Sequence, residues 1–312
     1  MSDTMTISVV LSTYNGEKYL NEQLESIRTQ SLFADEVIIS DDCSSDGTVQ
    51  VARNFIEKYH LNNWKLIANK KNRGWMINFK ESLKLACGDF VFPCDQDDIW
   101  HEDKLRSMSK VMEDNPQILL LASNYTTFYE EGGKKLVPNH GEEREDKSLV
   151  KIDFNEQNFF VLRPGCVYCF RRELLKYYDK YAVDDDPHDA FSWRISELLD
   201  GLYVWNYSTI DYRRHSSNAT ARIRPTRSSK LETVLYYDRI LKMLSDFSEK
   251  ENIKDQENRR RIIRRLTEWN NLRIRVIKHK DIISLIYWLK LYRYRDCYFS
   301  NKSYLADLVL FK

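Results

Sequence analysis

Apolar runs that stop abruptly at polar, turn-forming residues organise the first third of the chain. Ile7-Ser8-Val9-Val10-Leu11-Ser12 runs into Thr13-Tyr14-Asn15-Gly16, and Glu36-Val37-Ile38-Ile39-Ser40 runs into Asp41-Asp42. Continuous hydrophobicity of this kind predicts strands buried on both faces, as in a parallel sheet. Between the runs the period lengthens. Tyr19, Leu20, Leu24 and Ile27 share one helical face, and so do Val51, Phe55 and Tyr59. A strand over Trp64–Ala68, a helix over Met76–Ala86 and a strand over Asp89–Pro93 complete the series. Four strands alternating with three helices through short loops predict right-handed βαβ crossovers in one sheet.

After a helix over Lys104–Asn115 the rhythm changes. Leu119–Ser123, Tyr125–Tyr129, Lys134–Val137 and Gly165–Arg171 read as strands, with a turn at Gly132-Gly133. Asp189–Leu199 reads as a helix, while Leu202–Trp205 and Thr209–Arg213 read as extended. From about Ser228 onward the pattern is helical, with neither Pro nor Gly. A soft boundary at Ile223–Arg227 separates an α/β domain, residues 1–225, from a helical region, residues 226–312.

Composition is that of a globular protein: 312 residues, 42% hydrophobic and 30% charged. The amino terminus lacks a basic-then-apolar leader, and six Cys are too few for a disulfide scaffold. Both observations point to a reducing cytoplasm. Cys166-Val-Tyr-Cys169 has no second pair to complete a zinc site, so these read as small buried hydrophobes. The net charge of +1 conceals an asymmetry. From Arg222 onward, 22 Lys and Arg face 11 Asp and Glu, a balance of +11 that leaves −10 for residues 1–221. An acidic body with a basic helical tail bears on partners rather than on fold.

The chemistry concentrates at Asp95-Gln96-Asp97-Asp98, three carboxylates in four residues, just past the predicted strand at Asp89–Pro93. Crowded carboxylates repel one another and call for a cation or several donors. Mg²⁺ or Mn²⁺ takes oxygen ligands of this kind and is usually completed by substrate phosphates. Asp41-Asp42 closes an earlier strand, which places both acidic groups at the carboxyl edge of a mostly parallel sheet. A phosphate-bearing ligand is expected there.

These residues resemble the family 2 glycosyltransferases, inverting enzymes with the GT-A fold. The resemblance runs through Val9–Gly16, Ile39–Thr48, Asn72-Arg73-Gly74, Asp95–Trp100, Pro164-Gly165-Cys166, His188-Asp189 and Tyr212-Arg213-Arg214-His215, about residues 6–218. The Asp-Gln-Asp-Asp-x-Trp form looks most like bacterial enzymes that build rhamnose-containing or other surface polysaccharides. The implied fold is a Rossmann-like mixed sheet, mostly parallel, flanked by helices. The implied reaction is metal-dependent transfer of a hexose or deoxyhexose from a UDP- or dTDP-sugar to a glycan hydroxyl, the acceptor being lipid-linked or protein-linked.

The resemblance also implies roles. Ser12, Tyr14, Asp42 and Arg73 would meet the donor, with the Tyr14 ring against a pyrimidine and Asp42 accepting its imide N–H. Asp95 would face the ribose, Asp98 would belong to the same donor site, and Asp97 with His215 would hold Mn²⁺ or Mg²⁺. Arg213 or Arg214 offers another partner for the diphosphate, since a guanidinium suits phosphate geometry. Asp189, at the start of a predicted helix, would be the base for the acceptor hydroxyl, with Asp184-Asp185-Asp186 as a competing choice. Gly165, Trp100, Trp193 and His140 are candidates for the acceptor pocket, and Asp46 reads as a helix cap outside the site.

Ile282–Tyr292 is apolar but too short to span a bilayer, and Lys278, Lys280, Arg293 and Arg295 flank it. That composition fits attachment at the inner membrane face, an oligomer interface, or a helix docked on the catalytic domain. Arg259-Arg260-Arg261 has no nucleic-acid-binding module around it. A nucleotidyltransferase would carry a Gly-rich loop after the first strand, where this chain has a single Gly. A non-catalytic nucleotide- or sugar-binding scaffold of the same fold is the other class that these residues fit.

Overall fold

The computed structural model describes residues 5–130, 144–215, 226–278 and 282–309. The expected turn at Gly132-Gly133, the strand at Lys134–Val137 and His140 lie outside the described residues. Three βα units open the chain: β1 (Ile7–Thr13) with α1 (Glu17–Arg28), β2 (Glu36–Asp41) with α2 (Thr48–Lys58), and β3 (Trp64–Ala68) with α3 (Trp75–Leu83). Then come β4 (Phe90–Cys94), the short β5 (Ile99–Trp100) and α4 (Lys104–Asp114). All seven residues of β1 and all five of β4 are buried, which is why these strands read as unbroken apolar runs.

β1 pairs in parallel with β2 on one side and with β4 on the other, and β3 continues beyond β2. The strand order therefore reverses between β1 and β4. The loops leaving their carboxyl ends diverge and open a crevice, the usual place for a ligand in such sheets. The rest of the sheet is built from β6 (Leu120–Tyr129), β7 (Leu149–Lys151), β8 (Tyr168–Arg171) and β9 (Leu202–Arg214). β8 is antiparallel to both β4 and β6, while β6 runs parallel to β9. β5 and β7 pair antiparallel with β9, completing nine strands among the described residues.

Two pairs of expected strands are single strands. Leu119–Ser123 and Tyr125–Tyr129 merge into β6, and Leu202–Trp205 and Thr209–Arg213 merge into β9. The register slips between Ser123 and Thr126, where Ser123 pairs with Trp205 but Asn124 pairs with Ser208. The polar stretch Asn206-Tyr207-Ser208 is thus a bulge within one ladder rather than a turn.

Between β8 and β9 lie a 3₁₀ turn (Arg172–Tyr177), the short α5 (Tyr178–Tyr181) and α6 (His188–Leu198). The tail consists of α7 (Arg227–Lys250), α8 (Gln256–Lys278), α9 (Ile282–Leu291) and α10 (Asn301–Val309). Thr226 and Ser229 form a capping box at the start of α7. Among the described residues no helix is long and apolar enough to cross a membrane. The tail packs on the sheet domain through specific pairs: Tyr236 with Asp186, Arg259 with Asp200, and Arg265 with Glu156.

Candidate active site

The crevice between β1 and β4 is bridged by one side chain. Gln96 Oε1 accepts the Tyr14 N–H at 2.8 Å, and Gln96 Nε2 donates to the Tyr14 carbonyl at 3.1 Å. Gly16 makes room for it, since a Cβ there would fall 2.2 Å from Gln96 Oε1. The Tyr14 ring stays 46% exposed above this clamp.

The end of β2 is tied down more tightly than its sequence suggests. Asp41 accepts from Thr13 Oγ1 at 3.0 Å and from the Ser44 N–H at 2.8 Å. Asp42 is buried, and its two oxygens accept the N–H groups of Arg73 at 2.9 Å and Gly74 at 2.7 Å. Asp42 therefore shapes the loop that carries the exposed Arg73. Ser12 is likewise engaged, accepting from Asn78 Nδ2 at 2.7 Å. Asn78, on α3, also bonds Ser40 and Asn69, so one buried amide ties β1, β2 and the Arg73 loop together. Asp46 accepts the N–H groups of Thr48 and Glu17, at the starts of α2 and α1, and keeps its capping role.

The carboxylates after β4 differ sharply in surroundings. Asp98 is buried; its Oδ1 accepts the Arg213 N–H at 3.0 Å, while Oδ2 is buried with no hydrogen-bond partner among the described residues. Burial, with the charges of Asp97 and Asp95, pushes its carboxyl well above the usual range. Asp95, half-buried, is raised to about 7, first by desolvation and then by the charges of Asp97 and Asp189. The first turn of α6 lies beside the segment that carries Cys166, since a Cβ on Gly165 would fall 3.1 Å from Asp189 Cβ. Ligand atoms of Asp95, Asp98 and Cys166 lie within 4.8 Å of one another. Asp97 meets His215 Nε2 at 2.7 Å, with the imidazole against the Tyr19 ring at 4.7 Å.

Arg213 does not serve an open anion site. Its Nε donates to the Asp97 carbonyl at 2.7 Å, and its guanidinium reaches Glu130 at 2.9 Å and Glu22. Lys18, Tyr19 and Arg213 together hold the Glu130 carboxyl down to about 2. Arg214 lies over the Tyr212 ring at 4.6 Å.

Asp189 occupies the first turn of α6, where its Oδ1 accepts the Ala190 N–H at 2.7 Å. The competing carboxylates are engaged. Asp184 lies 3.6 Å from Lys80, Asp185 pairs with Arg239, and buried Asp186 pairs with Arg194 at 3.0 Å. Gly165 opens a 3₁₀ turn laid flat against the start of α6, and a Cβ there would fall 2.4 Å from His188 Nε2. Its close approach is to a helix, not to open space.

Trp100 and Trp193 are corrected to core residues. Trp193 is fully buried with its indole N–H on the Asn158 carbonyl at 3.2 Å, and Trp100 packs on Phe92 beneath Lys104. Neither presents an open face to a sugar. Sequence reasoning missed Gln96, Asn78 and Cys166. Gln96 carried a signal, an uncharged amide set among three acids; the burial of Cys166 was legible, but not its neighbours. A separate cavity of about 680 Å³, lined by Arg144, Arg163, Asn206 and Phe299 among others, lies at the seam with the tail and holds none of these carboxylates.

Residues 8–178 match the family model described as "Glycosyl transferase family 2". The chain is 29% identical over 219 residues to the dTDP-rhamnosyl transferase RfbG of Shigella flexneri, covering 67% of this chain and 72% of that protein. By structure it is similar to TarS 1-349 of Staphylococcus aureus in complex with UDP, with a TM-score of 0.55, 20% identity, and coverage of 86% and 81% of the two chains. It is also similar to the mannosyltransferase PcManGT of Pyrobaculum calidifontis in complex with GDP-Man and Mn²⁺, with a TM-score of 0.54, 16% identity, and coverage of 84% and 69%.

Proposed function

The chain belongs to glycosyl transferase family 2, and on that premise we propose that it moves a hexose or deoxyhexose from a UDP- or dTDP-sugar to a glycan hydroxyl. The product would be a cell-surface polysaccharide or a glycoprotein glycan. The observation that carries this reading is the acidic loop after β4, faced by Asp189 from the first turn of α6. The exposed Tyr14 ring after β1 and the exposed Arg73 after β3 would meet the pyrimidine and the diphosphate. RfbG, by its name, uses a dTDP-rhamnosyl donor and TarS was seen with UDP, which supports a pyrimidine nucleotide. The six cysteines are free, which suits a cytoplasmic reaction.

The residues fit a hard divalent cation. A buried Asp98 oxygen with no hydrogen-bond partner among the described residues, and a carboxyl raised to about 7 on Asp95, are what uncompensated oxygen ligands produce. Asp97 and His215, with Asp95 and Asp98 beside them, would hold Mn²⁺ or Mg²⁺. When bound, the ion supplies positive charge to the departing diphosphate. Asp189 accepts the proton of the acceptor hydroxyl on Oδ2, since Oδ1 is occupied by Ala190. The hydroxyl oxygen bonds to the anomeric carbon as the bond to the diphosphate breaks on the opposite side. One such displacement inverts the anomeric centre.

Calorimetric titration with UDP, dTDP, GDP and CMP tests this, first with Mn²⁺ and then with EDTA. Tight binding of UDP or dTDP that EDTA abolishes is the expected result. Failure of every nucleotide to bind under both conditions would overturn the reading.

A further inference from the structure

The tail keeps an apolar face in solvent. On α9, Leu285 is 42% exposed, Ile286 49% and Leu289 58%, and Tyr292, just beyond it, is 58% exposed. Spacings of 1, 4 and 7 from Leu285 place them on one side of the helix. The opposite side is anchored: Ser284 and Leu291 are buried, and Trp288 stacks on Tyr304 at 4.7 Å. Lys290 and Arg293 are exposed at the edge of the apolar face, and α9 itself contains no acidic residue. Among the described residues near it, Asp296 pairs with Arg265 and buried Asp307 with Arg273.

We propose that this face, Leu285, Ile286, Leu289 and Tyr292 rimmed by Lys290 and Arg293, seats the protein on an anionic lipid bilayer surface. Ten residues cannot cross a bilayer, so α9 lies in the plane of the headgroups, its apolar side down and its cations among the lipid phosphates. Charge selects this occupant over a second copy. The chain from Arg222 onward carries 22 basic against 11 acidic residues, and self-pairing through α9 would bring Lys290 and Arg293 against their own kind.

The test is co-sedimentation of the full chain with phosphatidylcholine vesicles, with and without phosphatidylglycerol. Binding is expected only with phosphatidylglycerol and weakens as salt rises. Ile286→Asp with Leu289→Asp is expected to lower binding about tenfold or more, by removing buried apolar area. Lys290→Glu with Arg293→Glu, which leaves the apolar residues in place, is expected to do the same. Melting followed by circular dichroism confirms that each variant folds. Absence of binding to the anionic vesicles, or equal binding by wild type and both variants, overturns the proposal. So does a wild-type dimer that Leu289→Asp converts to monomer without any vesicle binding.

Discussion

Gln96 holds Tyr14 by both backbone polar groups, a two-point clamp thrown from the β4 loop to the β1 loop. The exposed aromatic ring just past β1 is thus positioned by a residue 82 places away in sequence. Gln96→Ala removes two hydrogen bonds of about 1 kcal/mol each, and nucleotide affinity is expected to drop about tenfold or more. Calorimetry with UDP or dTDP reads this directly. Unchanged affinity would mean that the clamp has no part in holding the donor.

Asp189→Asn keeps the shape of the first turn of α6 but cannot take up the acceptor proton. Turnover is expected to fall by about 10²–10⁴-fold with donor affinity intact. A parallel loss of donor binding, or full turnover, would refute the assignment of Asp189 as base.

Asp97→Ala takes the carboxylate away from His215 Nε2. Donor affinity in Mn²⁺ is expected to fall to the level that wild type shows in EDTA, while affinity in EDTA stays the same. If the variant retains the full Mn²⁺ effect, Asp97 does not hold the ion.

Lys104 gives a stability prediction with a defined pH window. It is buried with its ammonium on the Cys166 carbonyl and Thr209 Oγ1, and desolvation lowers it from 10.5 to about 8. Below pH 8 both folded and unfolded chains carry the proton, and the cost of a buried charge is fully present. Between about 8 and 10.5 the folded state has released the proton and the unfolded state has not, so the Lys104 contribution to stability rises with pH. Lys104→Met has no such proton. Its melting temperature minus that of wild type is therefore expected to decrease from about pH 7 to about pH 10. Paired thermal melts give the difference, and a pH-independent gap would contradict the assignment.

The parallel half of the sheet was legible because its strands are buried on both faces, and such strands write themselves as apolar runs. β6 and β9 were each split in two because a bulge places polar residues mid-strand, and periodicity cannot distinguish a bulge from a turn. The acidic loop was found from its crowding alone. The misread residues were those whose partners lie far away in sequence. Arg213 looked available for phosphate, but Glu22 is 191 residues distant and Glu130 is 83. Trp100 and Trp193 have the right chemistry for sugar faces, and only packing shows those faces to be covered.

Helix α6 carries Asp189 in its first turn and Arg194 further along, and Arg194 shares Asp186 with the Tyr236 hydroxyl of α7. Removing the Tyr236 hydroxyl would leave the buried Asp186 carboxylate short of a donor, at a cost on the order of 1–3 kcal/mol. The tail is accordingly not an interchangeable cartridge. Recombination with a relative would have to deliver a hydroxyl to the same point above α6, or accept a loosened helix under Asp189. Exchange of parts among such chains is therefore expected to cut within the tail, beyond α7, rather than at the join before it.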